Sequence, residues 1–260
     1  MRWFIPLLLA SPAFAAEIAP ADLSRLPAAD VVVLGEVHDN AQHHAHQAAA
    51  VAALAPKAVV WEMIPQDMAV PATWADQAEL GAALEWAARG WPEFSMYYPI
   101  FAAAPKARHY GAEVGREAAR KAVSDGAMAV AADGARFGLD RALPDDEQSA
   151  REAEQMQAHC DALPADLLPG MVQAQRLRDA ALARAVLQAL QDVGPPVAVI
   201  TGSGHARKDW GLPAVLAFAA PDVTVLSVGQ VESDPGPYAP FDLWLITAPA
   251  ERPDPCAGFR

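Results

Sequence analysis

The stretch VVVLGEVHDNAQHHAHQ, Val31 to Gln47, constrains this chain more than any other. It opens on four apolar residues, three of them β-branched, which is the composition of a strand buried on both faces. Gly35 ends the run. Glu36, His38, Asp39 and Asn40 follow, and then a helix carrying His43, His44 and His46. Four of the seven histidines of the chain fall within nine positions, next to two carboxylates. A strand, a polar turn and a helix place the turn at the carboxyl edge of a sheet, where open α/β folds bind ligands. Asn40 is a good N-cap for a helix from Ala41 to about Leu54. At 100° per residue His44 falls on the inward face of that helix with Gln47, Ala48, Val51 and Leu54. His43 flanks this face, and His46 points away toward solvent.

Two more segments end in the same manner. Ala58–Trp61 is a short apolar strand that delivers Glu62, and Val197–Thr201 delivers Gly202-Ser203-Gly204-His205. The first β-helix-β spacing implies a right-handed parallel unit. Arg108–Ala112, Val223–Val228 and Leu243–Thr247 read as further strands. The pattern predicts an α/β fold, a mostly parallel sheet flanked by helices. Segments of about 64–104 and 140–170 read as insertions that build a helical cap. The first holds GWPEFSMYYPIF, Gly90–Phe101, whose aromatic density suits either core packing or a mobile lid. In a helix from about Met171 to Gln191, Val172, Leu182, Ala183, Val186 and Leu190 form one apolar stripe. Gln175 and Asp179 lie in its middle, Arg178 flanks it, and Arg176, Arg184 and Gln188 lie opposite. A buried carboxylate without a partner is costly, so Asp179 either pairs internally or meets a ligand.

Composition bounds the function. MRWFIPLLLASPAFAAE has a positive start, an apolar centre and an A-x-A site, the form of a signal peptide cut after Ala15. Its apolar run is shorter than the ~20 residues of a membrane span, and no later segment reads as a span. The expectation is an exported, periplasmic protein with a single domain over 16–260. A net charge of −13 with no Lys/Arg cluster argues against nucleic acid as a partner. Export permits a disulfide between Cys160 and Cys256, but the sequence leaves open whether they meet. Two cysteines so far apart are not a metal motif.

Glu36, His38, Glu62 and His205 are the candidate site. Gly-x-x-His occurs twice, at Gly35–His38 and Gly202–His205, each after a buried strand. Imidazole with carboxylate suits a first-row divalent metal or an acid–base pair around a water. The alternative is that these groups hold loops together. No G-x-S-x-G, H-E-x-x-H, dinucleotide or P-loop pattern accompanies them.

LGEVHDNAQHHAHQ (34–47), WEM (61–63), GWPEFSMYYPI (90–100), PGMVQAQRLRDAALA (169–183) and GSGHARKDWGLP (202–213) together resemble the ChaN-type haem-binding uptake family. That family sits in a wider superfamily with Tiki-type metalloproteases and erythromycin esterases. The resemblance spans about residues 30–248. It implies haem binding for iron acquisition, a homodimer holding haem between subunits, an outer-membrane haem receptor system as partner, and a tyrosine on the iron. Tyr97 matches the family's tyrosine position, with Tyr98 next. Arg116 and Arg178 are implied as partners of the haem propionates; His44, Gln175 and Asp179 from their helix faces and His205 from its strand end are the further candidates for cofactor binding. Some relatives carry a lipid anchor; this chain has no lipobox cysteine. The wider superfamily implies a rival, a metal-dependent hydrolase using Glu36, His38, Glu62 and His205 as divalent-metal ligands or as bases.

Overall fold

The structure, a computed structural model, describes residues 15–259, so the expected signal peptide lies almost wholly outside the described residues. Seven parallel strands form one sheet in the order β1-β7-β6-β2-β5-β3-β4. They are β1 (Ala16–Glu17), β2 (Val31–Glu36), β3 (Ala58–Pro65), β4 (Arg108–Glu113), β5 (Val197–Gly202), β6 (Val225–Val231) and β7 (Leu243–Ile246). The helices are α1 (Ala41–Leu54), α2 (Gln77–Ala83), α3 (Phe94–Ala103), α4 (Arg116–Asp125), α5 (Asp145–Ala158), α6 (Leu168–Val193), the single turn α7 (Ser203–Ala206) and α8 (Leu212–Ala219).

Alternation along the central strands divides the core in two, because successive side chains point to opposite faces. Val32, Leu34, Val59, Trp61, Ala198 and Ile200 pack against α1, α2 and α3. Val31, Val33, Ala58, Val60, Val197 and Val199 pack under α6 and α8. Every residue of β2 and β5 is buried, which explains their unbroken apolar runs. β2 and β3 are parallel, as the spacing predicts, but β5 lies between them. β1 is missing from the sequence reading, since two residues on an edge carry no pattern.

The 64–104 segment supplies α2 and α3, which extend the layer of α1; α5 packs on α6 in the opposite layer. The chain leaves β2 and β3 toward one layer and β5 toward the other. The carboxyl ends of β2, β3 and β5 therefore open a crevice, with α3 and its preceding turn on one side and α5 on the other. Among the described residues no helix is long and apolar enough to cross a membrane.

The C-terminal tail binds both layers. Arg252 donates two hydrogen bonds to Asp39, at 2.7 and 2.8 Å, and two to Glu232, at 2.7 and 2.6 Å. Four residues on, Cys256 forms a disulfide with Cys160, just past the end of α5. Tying residues 96 apart removes loop entropy from the unfolded chain, roughly 5 kcal/mol on the chain-entropy account. The double variant Cys160→Ser/Cys256→Ser is expected to lose about 3–5 kcal/mol in a denaturant titration; a loss under about 1 kcal/mol would refute that account.

Candidate functional site

Three strand ends set the site. Glu36 closes β2, Glu62 lies in β3, and His205 stands on α7, directly after β5. Gly35 lets α7 approach, since a Cβ there would meet Ser203 Oγ at 2.8 Å. Gly202 leaves room for His38, whose Nε2 would lie 3.0 Å from a Cβ at that position.

The polar groups form a chain. His38 Nδ1 donates to Glu36 Oε1 at 2.7 Å, and the Tyr97 hydroxyl donates to the same oxygen at 2.9 Å. His205 Nδ1 donates to Asp179 Oδ1 at 2.7 Å. The free Nε2 atoms of both imidazoles face one oxygen, Glu62 Oε1, at 4.0 Å from His38 and 3.6 Å from His205. The other oxygen of Glu62 accepts from Thr201 Oγ1 at 2.7 Å and Gly202 N at 2.8 Å. The site is thus two imidazole–carboxylate couples, Glu36–His38 and Asp179–His205, turned toward a fixed central carboxylate.

Each carboxylate–imidazole contact sets a charge state. Burial alone raises the Glu36 pKa, but His38 and His44 outweigh it and hold the carboxyl at about 2. Burial opposes the charge on His38, and Glu36 and Glu62 overcome it to raise its pKa to about 9. The same balance raises His205, where Glu62 and Asp179 outweigh burial, and lowers Glu62, where His205 and His38 do. Burial, helped by Glu36, pushes the Tyr97 phenol far above its ordinary range.

Several expected residues sit differently from the sequence reading. His44 does turn inward, but it is fully buried beneath the site. Its Nε2 donates to the His38 carbonyl at 2.8 Å, and its Nδ1 lies 3.3 Å from Glu36 Oε2. His46 is not a solvated residue, because its Nδ1 meets Gln230 Oε1 at 2.9 Å. His43 accepts from Val37 N and donates to Thr247 Oγ1 at 2.6 Å. Arg176 is not on an open face either: the loop after residue 137 covers it, and it donates to the Gly138 and Arg141 carbonyls. Tyr97 is fully buried, with its hydroxyl committed to Glu36. Tyr98 is half-buried and packs near Phe94. Asp179 pairs with His205 and lies 3.7 Å from Arg151, while Gln175 donates to Gln155 at 3.4 Å.

The four residues expected to share a divalent metal do not converge as ligands. Glu36 lies behind His38, on its Nδ1, so it cannot stand beside it. Among the described residues no group of three or more His, Cys, Asp or Glu side chains is arranged to hold a metal ion.

A cleft of about 200 Å³ opens beside Glu62, between the 89–91 turn, the end of β4 and α6. Arg116 and Arg178 line it together, as does Trp91. Arg89, also in the cleft, pairs with Glu113 at 3.1 Å. Arg116 and Arg178 make no hydrogen bond or ion pair with any described residue. Trp91 stands edge-on to His38, ring centroids 5.0 Å apart. No sequence signal singled it out within its aromatic stretch.

A family model described as "Haem-binding uptake, Tiki superfamily, ChaN" matches residues 23–216. The chain belongs to this family. ChaN of Campylobacter jejuni, in a structure described as showing cofacial heme binding, superposes with a TM-score of 0.63 at 18% identity, covering 85% of this chain and 88% of that one. This shared fold places the ChaN-family chain among parallel α/β proteins. An erythromycin esterase mutant in its open conformation matches at a TM-score of 0.38 and 12% identity, over 81% of this chain and 74% of that one. A succinoglycan biosynthesis protein matches at 0.37 and 11% identity, over 78% and 66%. A search of the curated proteins returned no match.

The charge states give the ligand-free protein a definite pH profile. His38 titrates near 9 when folded against 6.5 free, so its contribution is whole below 6.5 and is lost as pH rises through 9. Burial lowers His43 and His109 to about 4, so theirs is whole above 6.5 and is lost as pH falls toward 4. Melting temperature is expected to peak near pH 6.5 and to fall on both sides, with His38→Gln flattening the alkaline limb. A melting temperature that climbs steadily through pH 9 contradicts the assignment.

Proposed function

We propose that this ChaN-family protein binds haem at the carboxyl edge of its sheet and serves haem or iron uptake after export. One observation carries the reading: Arg116 and Arg178 stand without acidic partners beside Trp91, in a chain whose net charge is −13. Unpaired guanidinium groups beside an indole suit carboxylates borne on a flat apolar ring. A cleft of about 200 Å³ is smaller than the ~300–1,000 Å³ of enclosing ligand sites. It admits the propionate end, and the macrocycle then lies across its mouth, open to a second subunit or a second haem. The cofacial haem described for the C. jejuni protein is consistent with such a seat.

The donor set bears on the iron ligand. Tyr97 has given its hydroxyl to Glu36 and is buried, so it reaches iron only if α3 moves. His38 has a side chain one-third exposed and its Nδ1–H on a carboxylate, which leaves Nε2 as the atom that would bind iron, on giving up its own proton. That arrangement orients an imidazole and raises its basicity toward a metal. We therefore assign the iron to His38 ahead of Tyr97, Tyr98 and His205. Export is supported by the leader sequence and by the disulfide; periplasmic extraction should yield a chain beginning at Ala16.

Hemin titration of the purified protein is expected to give a shifted Soret band, altered by His38→Ala more than by Tyr97→Phe. Arg116→Glu/Arg178→Glu should weaken binding at least about ten-fold, a loss near 1.4 kcal/mol. A spectrum identical to that of free hemin sinks the haem reading.

The two imidazole–carboxylate couples facing Glu62 favour one second reading, acid–base hydrolysis of a carboxylate-bearing ester held by the same arginines. Glu62→Gln should then abolish turnover of such an ester while leaving hemin affinity unchanged; ester turnover at the uncatalysed rate in the unaltered protein removes this reading.

A further inference from the structure

Beside the Arg116/Arg178 cleft lies a second pocket of about 510 Å³, with an apolar floor of Trp86, Trp91, Pro92 and Phe94 and with Glu85 and Glu93 also on its lining. Trp91 lines both pockets. The turn that carries it holds two indoles, Trp86 and Trp91. Glu85 at φ 49° and Gly90 at φ 80° adopt the left-handed region, and for Glu85 this is strained backbone of the kind that collects at ligand sites. Trp86 Nε1 donates to the Pro92 carbonyl at 2.8 Å and fixes the turn. Gly81 lets Phe94 form the floor, since a Cβ there would lie 2.8 Å from the ring. Arg116 Nη2 would lie 3.0 Å from a Cβ on Gly90, so its guanidinium sits directly against this turn. The Trp91 indole N–H is buried and has no acceptor among the described residues. A buried donor of that kind calls for a partner.

These features describe the two ends of an amphiphile. We propose that the cleft and the apolar pocket form one site for a carboxylate carrying an apolar body. The carboxylate pairs with Arg116 and Arg178; the body crosses Trp91 and lies in the pocket of Trp86 and Phe94. The combined space falls within the range of small-molecule sites. The shared chemistry comes from two sources, the propionate edge of a porphyrin or a free acyl carboxylate. The inference goes beyond haem binding because it requires neither iron nor His38.

The test is titration of the full, disulfide-bonded protein with sodium octanoate, decanoate and dodecanoate, and with dodecanol, by calorimetry. Affinity is expected to rise roughly three- to four-fold per methylene, and dodecanoate to bind at least about ten-fold more tightly than dodecanol. Ala82 and Ala78 are exposed on α2, so Ala82→Trp and Ala78→Trp fill the pocket without entering the core. Either should remove the dependence on chain length. Arg116→Ala/Arg178→Ala should remove the advantage of dodecanoate over dodecanol. Affinity that does not change with chain length, or filled-pocket variants that both bind dodecanoate like the unaltered protein, would overturn the proposal. Metal-free protoporphyrin that displaces dodecanoate identifies the porphyrin as a user of the site; simultaneous binding identifies the acyl carboxylate. Loss of hemin binding with dodecanoate retained defeats only the haem reading, and the converse defeats only this one.

Discussion

Glu36 carries a negative charge whose side chain has no contact with solvent, and the site is arranged around that fact. An ionised carboxylate taken out of water costs several kcal/mol unless other groups compensate it. Here the compensation comes from three separate segments. His38 supplies it from the β2–α1 turn, His44 from the first turn of α1, and Tyr97 from α3. The charge therefore binds the turn, the helix and the neighbouring layer to one point. It also fixes His38 with Nε2 outward. Asp179 repeats the device for His205 from the other layer, with Arg151 as an added cation. Glu62 stands where the two halves meet.

This arrangement separates two tasks. In the charged chain from Glu36 to Asp179 the carboxylates are buried and each imidazole is fixed by a hydrogen bond on its Nδ1, while the His38 side chain stays one-third exposed. The proposed anion surface lies beside it, in Trp91, Arg116 and Arg178, where neither guanidinium has a partner among the described residues. On the proposed reading the polar chain orients His38 and the cleft takes the anion. In an acidic protein, two arginines without partners at one strand end are what the proposed anion site rests on.

Much of the frame was legible in the sequence, for a physical reason. β2, β3 and β5 lie in the middle of the sheet and are buried on both faces, so their composition alone marks them. Asn40 accepts from Gln42 N at 3.0 Å, so the start of α1 was readable from its cap. The edge strand β1 left no trace. The helical wheel placed His46 and Arg176 relative to their own helices, but it contains nothing about neighbours. Gln230 and the carbonyls near residue 138, both far away in sequence, decide their burial. The strand ends told that Glu36, His38, Glu62 and His205 share an edge. They did not tell that Glu36 serves His38 from behind, because a two-residue separation along a turn fits either arrangement. Trp91 gained its importance only from Glu62 and α6, which fold brings to it.

The bond between Cys160 and Cys256 makes each cysteine the guardian of the other. A chain shortened past residue 255 keeps Cys160 at the half-exposed end of α5 with no internal mate. In an oxidising medium that lone thiol is free to couple with a second molecule, so a clipped preparation would run as a covalent pair. Such a pair would arise from proteolysis and would say nothing of whether intact chains associate.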